Sequence, residues 1–306
     1  MKWLIHHPLV KLLFFGNLFY GLCVVALSVE SSLQQKYPLN SVWFYLLQLM
    51  STVYYYNLAF SQIDGASTAD NLRAAWHYKH KRILTHINII LLMGGLLLLF
   101  ALIWPYRTNL ASLGIRTIFL LSLFPLFALL YYGVNKRHEE NFSLRKIGWL
   151  KPFIIGFTWA GMVGVLPQLL FALRHQITYH FGLINALLFL KNFMYVSVLA
   201  IMFDIKDYAR DYNYEVRTFV VHFGLRRTLF SIIIPLLLLG LASFVAFALL
   251  RHFHPLKIAL NCLPFLLCTL VAFSLQKRKS ILFYLLVIDG LMLVKAICGS
   301  FAMLYF

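Results

Sequence analysis

Acid is what this chain has least of. Ten Asp and Glu stand among 306 residues, against 27 Lys and Arg, and only 12% of the chain is charged at all. Soluble domains are typically about 25% charged, so this composition excludes an ordinary water-facing surface. Cysteine is scarce too: Cys23, Cys262, Cys268 and Cys298 each sit inside an apolar run. That placement excludes a disulfide framework and gives no thiolate metal-ligand spacing, leaving the four as packing residues. Polar stretches long enough to fold as a separate soluble domain are also missing.

What is present is apolar sequence, 61% of the chain, gathered in blocks. A bilayer-spanning helix needs about 20 mostly apolar residues. Nine segments qualify: 9–29, 40–63, 85–104, 114–133, 151–173, 179–203, 228–250, 256–274 and 280–303. The expected fold class is therefore all-α integral membrane, with nine transmembrane helices in a single polytopic domain over 1–306. The N-terminus has the basic start and small-residue stretch of a signal peptide. Its apolar run is long and further spans follow, so it reads as an uncleaved first helix.

The net charge of +17 would suggest a nucleic-acid partner in a soluble protein. Here the positive-inside rule accounts for it, and no nucleic acid is expected. With the N-terminus inside, inner segments hold 19 of the 27 Lys and Arg, outer loops hold 6, and Lys191 and Lys295 fall within spans. This predicts a cytoplasmic N-terminus in a cell inner (cytoplasmic) membrane, with some basic residues against anionic membrane lipid. Lys191 is expected to snorkel to the outer surface. Asp289 and Lys295, six apart in the last span, point about 120° from one another and are not a simple pair.

The few acids are concentrated. Asp204, Asp207, Asp211 and Glu215 fall within twelve positions, directly after the apolar run 197–203. A carboxylate at membrane depth costs roughly 2.5–3.5 kcal/mol. If the sixth helix continues through them, the three aspartates sit at about 0°, 300° and 340° and share one face. Asp207 with Asp211, and Lys206 with Arg210, are like-charged at helical spacing, which weakens an isolated helix. Helix stability thus gives no reason for the cluster, whereas a divalent cation does. Magnesium is bound by one or two carboxylates with substrate phosphate oxygens completing its shell. A second inner loop, 64–84, also has mixed charge: Asp64, Asp70, Asn71, Arg73, Lys79, Lys81 and Arg82. Its His77 and His80, with His86, make no recognisable metal site.

Asp204-x-x-Asp207-x-x-x-Asp211, followed by Thr218-x-x-Val221-x-x-Gly224 at the end of the sixth of nine spans, resembles the second aspartate motif of UbiA-type membrane prenyltransferases. Leu150-Lys151-Pro152 leading to Gly156 and Trp159 is similar to that family's entry into its fifth helix. The resemblance implies helices around a central cavity open to lipid. It also implies transfer of a prenyl group from a prenyl diphosphate to a hydrophobic acceptor, usually aromatic. By the same resemblance Asp204, Asp207 and Asp211 are the catalytic, magnesium-binding residues. Asn57, Asp64, Arg73, Lys151 and Arg210 are the substrate contacts, and loops 64–84 and 204–227 cap the site. The family's first motif is Asn-Asp-x-x-Asp-x-x-x-Asp. Counted from Asn57, this chain has Leu58, Ser61 and Gly65 at the aspartate positions, with Asp64 one place off. Glu215 stands where the family has a small residue. Several readings stay open: an enzyme with one metal half-site, one using Lys and Arg in place of a metal, a non-catalytic prenyl-lipid-binding homologue, or a membrane transporter.

Overall fold

The computed structural model describes residues 7–58, 60, 72–111, 114–132, 147–213 and 216–306. Every regular element among them is a helix. Six helices are long and apolar enough to cross a membrane, and a seventh crossing arises if a pair bent by 59°, Pro8–Phe15 and Leu18–Gln34, is one span. The protein is an integral membrane protein. The expected count of nine is not reached among the described residues. Helices do occupy the other two segments, but Val42–Leu58 and Ile115–Tyr132 have 17 and 18 residues. Their described parts extend about 26–27 Å at 1.5 Å per residue, against a hydrocarbon core about 30 Å thick.

The chain divides into two compact units, Met1–Ala26 with Asn40–Ser112, and Leu27–Leu39 with Leu113–Phe306. In the first unit α1 (Pro8–Phe15) starts on a proline, whose fixed φ suits a helix start, and widens into a π-turn over Lys11–Phe15. Gly16 ends it, and Asn17 takes φ 64°, a left-handed conformation that Asn tolerates. The chain restarts as α2 (Leu18–Gln34), whose residues from Leu27 onward belong to the second unit. Then come α3 (Val42–Leu58), α4 (Leu72–Lys79) and α5 (Lys81–Ile103), with α3 lying along α5.

The second unit is built on one long helix. Its elements are α6 (Ile115–Tyr132), α7 (Lys151–Gly164), α8 (Leu166–His175), α9 (Leu183–Lys206), α10 (Tyr208–Asn213), α11 (Phe219–Arg227), α12 (Ile234–Leu250), α13 (Pro255–Ser274) and α14 (Gly290–Tyr305). Pro167, which cannot donate a backbone hydrogen bond, separates α8 from α7. The α9 helix packs against α7 on one side and α12 on the other. Its Tyr195, Val198, Ile201 and Met202 are wholly enclosed. Close approach to α7 depends on Gly156, where a Cβ would collide with Ser197 Oγ and lie 2.7 Å from the Phe193 carbonyl oxygen.

Three of the buried charges in this unit meet one another. Glu30 of α2, Lys191 of α9 and Lys295 of α14 are 1%, 0% and 2% exposed. Lys191 Nζ donates to Glu30 Oε1 at 2.9 Å, and Lys295 Nζ donates to Oε2 at 2.6 Å. Gln34 accepts from Lys191 at 3.0 Å and donates to Asn261 Oδ1 at 2.7 Å. Gly299 makes room, since a Cβ there would sit 2.5 Å from Glu30 Oε1. Lys191 therefore does not snorkel outward. The Glu30 carboxylate satisfies it inside the protein.

Candidate functional site

The acidic cluster is split by the backbone. α9 ends at Lys206, and the Asp207 N–H donates to the Asp204 carbonyl at 3.2 Å, three residues back instead of four. The chain tightens there and α10 resumes one residue later, held by the Asp211 N–H to the Asp207 carbonyl at 2.9 Å. Asp204 and Asp211 are buried, while Asp207 is half-buried and pairs with Lys206 at 3.4 Å. The continuous helix expected from the sequence, with three aspartates on one face, is not what forms. The like charges at positions 204, 207 and 211 cost least when the middle one turns toward its neighbouring lysine.

Lys151 stands at the start of α7, immediately before Pro152, and its Nζ donates to Asp204 Oδ1 at 2.5 Å. Only the cation keeps partial access to solvent, its side chain being 24% exposed against 2% for the aspartate. Asp211 and Tyr131 lie within electrostatic reach of Lys151, and Asp207 and Asp211 within reach of Asp204. Asp204 Oδ2 is buried and has no hydrogen-bond partner. An ionised oxygen left so is costly, and no donor among the described residues reaches it. Among the described residues no three His, Cys, Asp or Glu gather as ready metal ligands.

Beyond α10 the chain turns back through Val216, whose N–H donates to the Asp211 carbonyl at 2.8 Å. It enters α11, which is kinked at Gly224 with φ 77° and ψ 164°. That backbone conformation is essentially reserved for glycine. Gly148 lies flat against this return: a Cβ there would come within 2.6 Å of the Arg217 carbonyl. Beside the contact is a cavity of about 370 Å³ lined by Trp149, Arg217, Thr218, Phe219, His222 and Phe223.

In the first unit Asn57 and Arg73 meet through a residue that sequence reasoning passed over. Asn17 Nδ2 donates to Asn57 Oδ1 at 2.7 Å, and Asn57 Nδ2 donates to Asn88 Oδ1 at 2.9 Å. Arg73 Nη2 donates to Asn17 Oδ1, and its guanidinium lies over the Phe60 and Tyr20 rings, 4.7 and 5.6 Å from their centroids. Both polar ends of the Asn57 amide are thus engaged within the unit. His77 is buried, with Nε2 2.8 Å from the Phe15 carbonyl and its ring stacked on Phe60. Asp64 and Glu215 lie outside the described residues, as does the side chain of Arg210. Glu30, Asn17 and Asn88 carried no motif. The signals available for them were a carboxylate in an apolar chain and a Gly-Asn step inside an apolar run.

No protein-family model matches the chain, and no curated protein matches its sequence. A solved structure does match: a digeranylgeranylglyceryl phosphate synthase in membranes, with a TM-score of 0.55 over 97% of this chain and 99% of that one. The two share a fold. Their sequences are 15% identical, so the likeness concerns the course of the helices and leaves the individual site residues to be argued from chemistry.

Proposed function

We propose that this chain is a UbiA-like membrane prenyltransferase, which moves a prenyl group from a prenyl diphosphate to a hydrophobic acceptor. The observation that carries the reading is the Lys151–Asp204 pair, with the second oxygen of Asp204 buried and bare. It lies at the end of α9, where the aspartate-motif resemblance puts diphosphate chemistry. The fold shared with a membrane synthase supports it. Nine crossings and a cytoplasmic N-terminus belong to the same proposal, which puts Asp204 at the inner surface.

Magnesium fits this donor set. It takes one or two carboxylates and completes its shell with phosphate oxygens, and Asp204 Oδ2 with the neighbouring Asp211 would supply the protein's share. When bound, the ion would supply positive charge to the diphosphate oxygens. Lys151 adds a second positive charge from a side chain that reaches solvent, so it can turn from Asp204 toward a phosphate. As the allylic C–O bond breaks, the electron pair leaves with the diphosphate, and charge held in place stabilises that departure. Apolar walls keep water from the allylic carbon. The acceptor then bonds to that carbon and gives up a proton. Asp207, half-buried and paired with Lys206, would meet the incoming ligand in this reading.

A second reading is a non-catalytic homologue that binds prenyl lipid. Leu58, Ser61 and Gly65 favour it, because they offer no carboxylate where the family's first motif has three. One experiment addresses both readings: binding and turnover of geranylgeranyl diphosphate by the purified chain, with and without magnesium, in wild type, Asp204→Asn and Lys151→Met. The enzyme reading expects magnesium-dependent binding, weakened at least tenfold in each variant, and release of diphosphate once an acceptor is supplied. Binding without release under every acceptor tried would favour the binder, and binding indifferent to Asp204 and Lys151 would remove this site from the function.

A further inference from the structure

The cavity beside Gly148 has no task in prenyl transfer as proposed, and its lining is selective. Trp149, Phe219 and Phe223 give it apolar walls, and Arg217 and His222 give it basic groups. None of the six described lining residues is acidic. The sixth, Thr218, is 0% exposed, yet its hydroxyl has no hydrogen-bond partner. A buried hydroxyl without a partner costs about 1–3 kcal/mol, so a cavity-lining one points to a ligand that satisfies it. At about 370 Å³ the space lies within the range of small-molecule sites, which pair apolar walls with a few convergent polar groups. It also stands where α7 and α11 begin, at helix ends, the level at which aromatic side chains meet lipid headgroups.

We infer that this cavity binds the phosphate headgroup of an anionic membrane amphiphile, with Arg217 and the Thr218 hydroxyl holding the phosphate oxygens and Trp149, Phe219 and Phe223 holding the adjoining apolar part. Arginine matches phosphate with paired N–H donors. The hydroxyl adds a neutral donor at fixed position, and His222 stands at the exposed rim. Gly148 is what admits the site, since any side chain there would push the 217–218 backbone away from Trp149. Neither Lys151 nor Asp204 is among its six lining residues, and the inference does not rest on prenyl transfer.

The test uses the full chain in a neutral detergent and three probes: dioctanoyl phosphatidic acid, dioctanoylglycerol and inorganic phosphate. Saturable binding of the phosphatidic acid is expected, at least tenfold tighter than dioctanoylglycerol. Arg217→Gln is expected to weaken it about tenfold or more and Thr218→Val about fivefold, with unchanged elution on size exclusion. Trp149→Phe should abolish the fluorescence change that accompanies binding. Inorganic phosphate binding as tightly as the phosphatidic acid would support the anion site and assign it to a soluble ligand. Equal affinity for dioctanoylglycerol, or binding within twofold of wild type in both Arg217→Gln and Thr218→Val, would overturn the proposal. Lys151→Met should leave phosphatidic acid binding intact; its loss there would show that the cavity is not a separate site, and would do so whatever becomes of prenyl diphosphate binding.

Discussion

His77 shows what burial does to a single side chain in this protein. Enclosure under Phe15 and Phe60, with Arg73 and His80 adding positive charge, lowers its pKa from 6.5 to about 4, burial being the largest cause. The folded chain therefore keeps a neutral imidazole where the unfolded chain already binds a proton. Stability from this group is complete above pH 6.5 and is lost as the pH falls toward 4, by up to about 3 kcal/mol. Hydrogen exchange over 72–79 should accelerate across that window in wild type and stay flat in His77→Phe; equal pH responses would show that another group governs the segment. Legibility at this scale followed charge. Asp204, Asp211 and Lys151 stood out because ions are rare in an apolar chain, and the structure does bring them together. Asn57 and Arg73 were also singled out, but the Asn17 and Asn88 amides that engage Asn57 are uncharged and remote in sequence, and beyond the Gly16-Asn17 step nothing local marks them.

At the level of elements, hydropathy found the helices and misjudged their ends. Apolar length gives the cores of α5, α9, α13 and α14, whereas the stop at Asp207 is a backbone event at one residue. The first span was expected over 9–29, yet α2 runs on to Gln34. The crossing of α7 on α9 is the contact most exposed to a single substitution. In Gly156→Ala the new methyl meets Ser197 and the Phe193 carbonyl, and neither helix can yield without losing its other neighbours. Overpacking of this kind costs about 1–3 kcal/mol. A fall in thermal midpoint is expected in Gly156→Ala, and Gly156→Ala/Ser197→Ala should recover part of it. A single variant as stable as wild type would mean that the helices separate freely there. The same crossing carries Lys151 and Asp204 at its end, so looser packing should also weaken the prenyl diphosphate binding proposed for that pair.

Across the molecule, Glu30 ties together helices that are far apart in sequence, reaching 161 residues to Lys191 and 265 to Lys295. Breaking a buried ion group by removing one member costs about 3–5 kcal/mol, whereas replacing all members with apolar side chains is often neutral or stabilising. Glu30→Gln, which leaves two ammonium groups face to face, should unfold at a markedly lower temperature. The triple variant Glu30→Met/Lys191→Met/Lys295→Met should return to wild-type stability or exceed it. Equal midpoints for Glu30→Gln and wild type would show that the ion group contributes nothing. The group also sets a timetable for biosynthesis. Translation proceeds at about 5–20 residues per second, so Lys191 leaves the ribosome roughly 8–32 s after Glu30 and Lys295 roughly 13–53 s after it. For that interval Glu30 has from its own helix only Gln34, whose Nε2 donates to Oε1 at 2.9 Å, and no cation from this group. A chain stopped before position 191 would hold that carboxylate with neither of its lysines, so the charge balance of the first helix is completed only by the last.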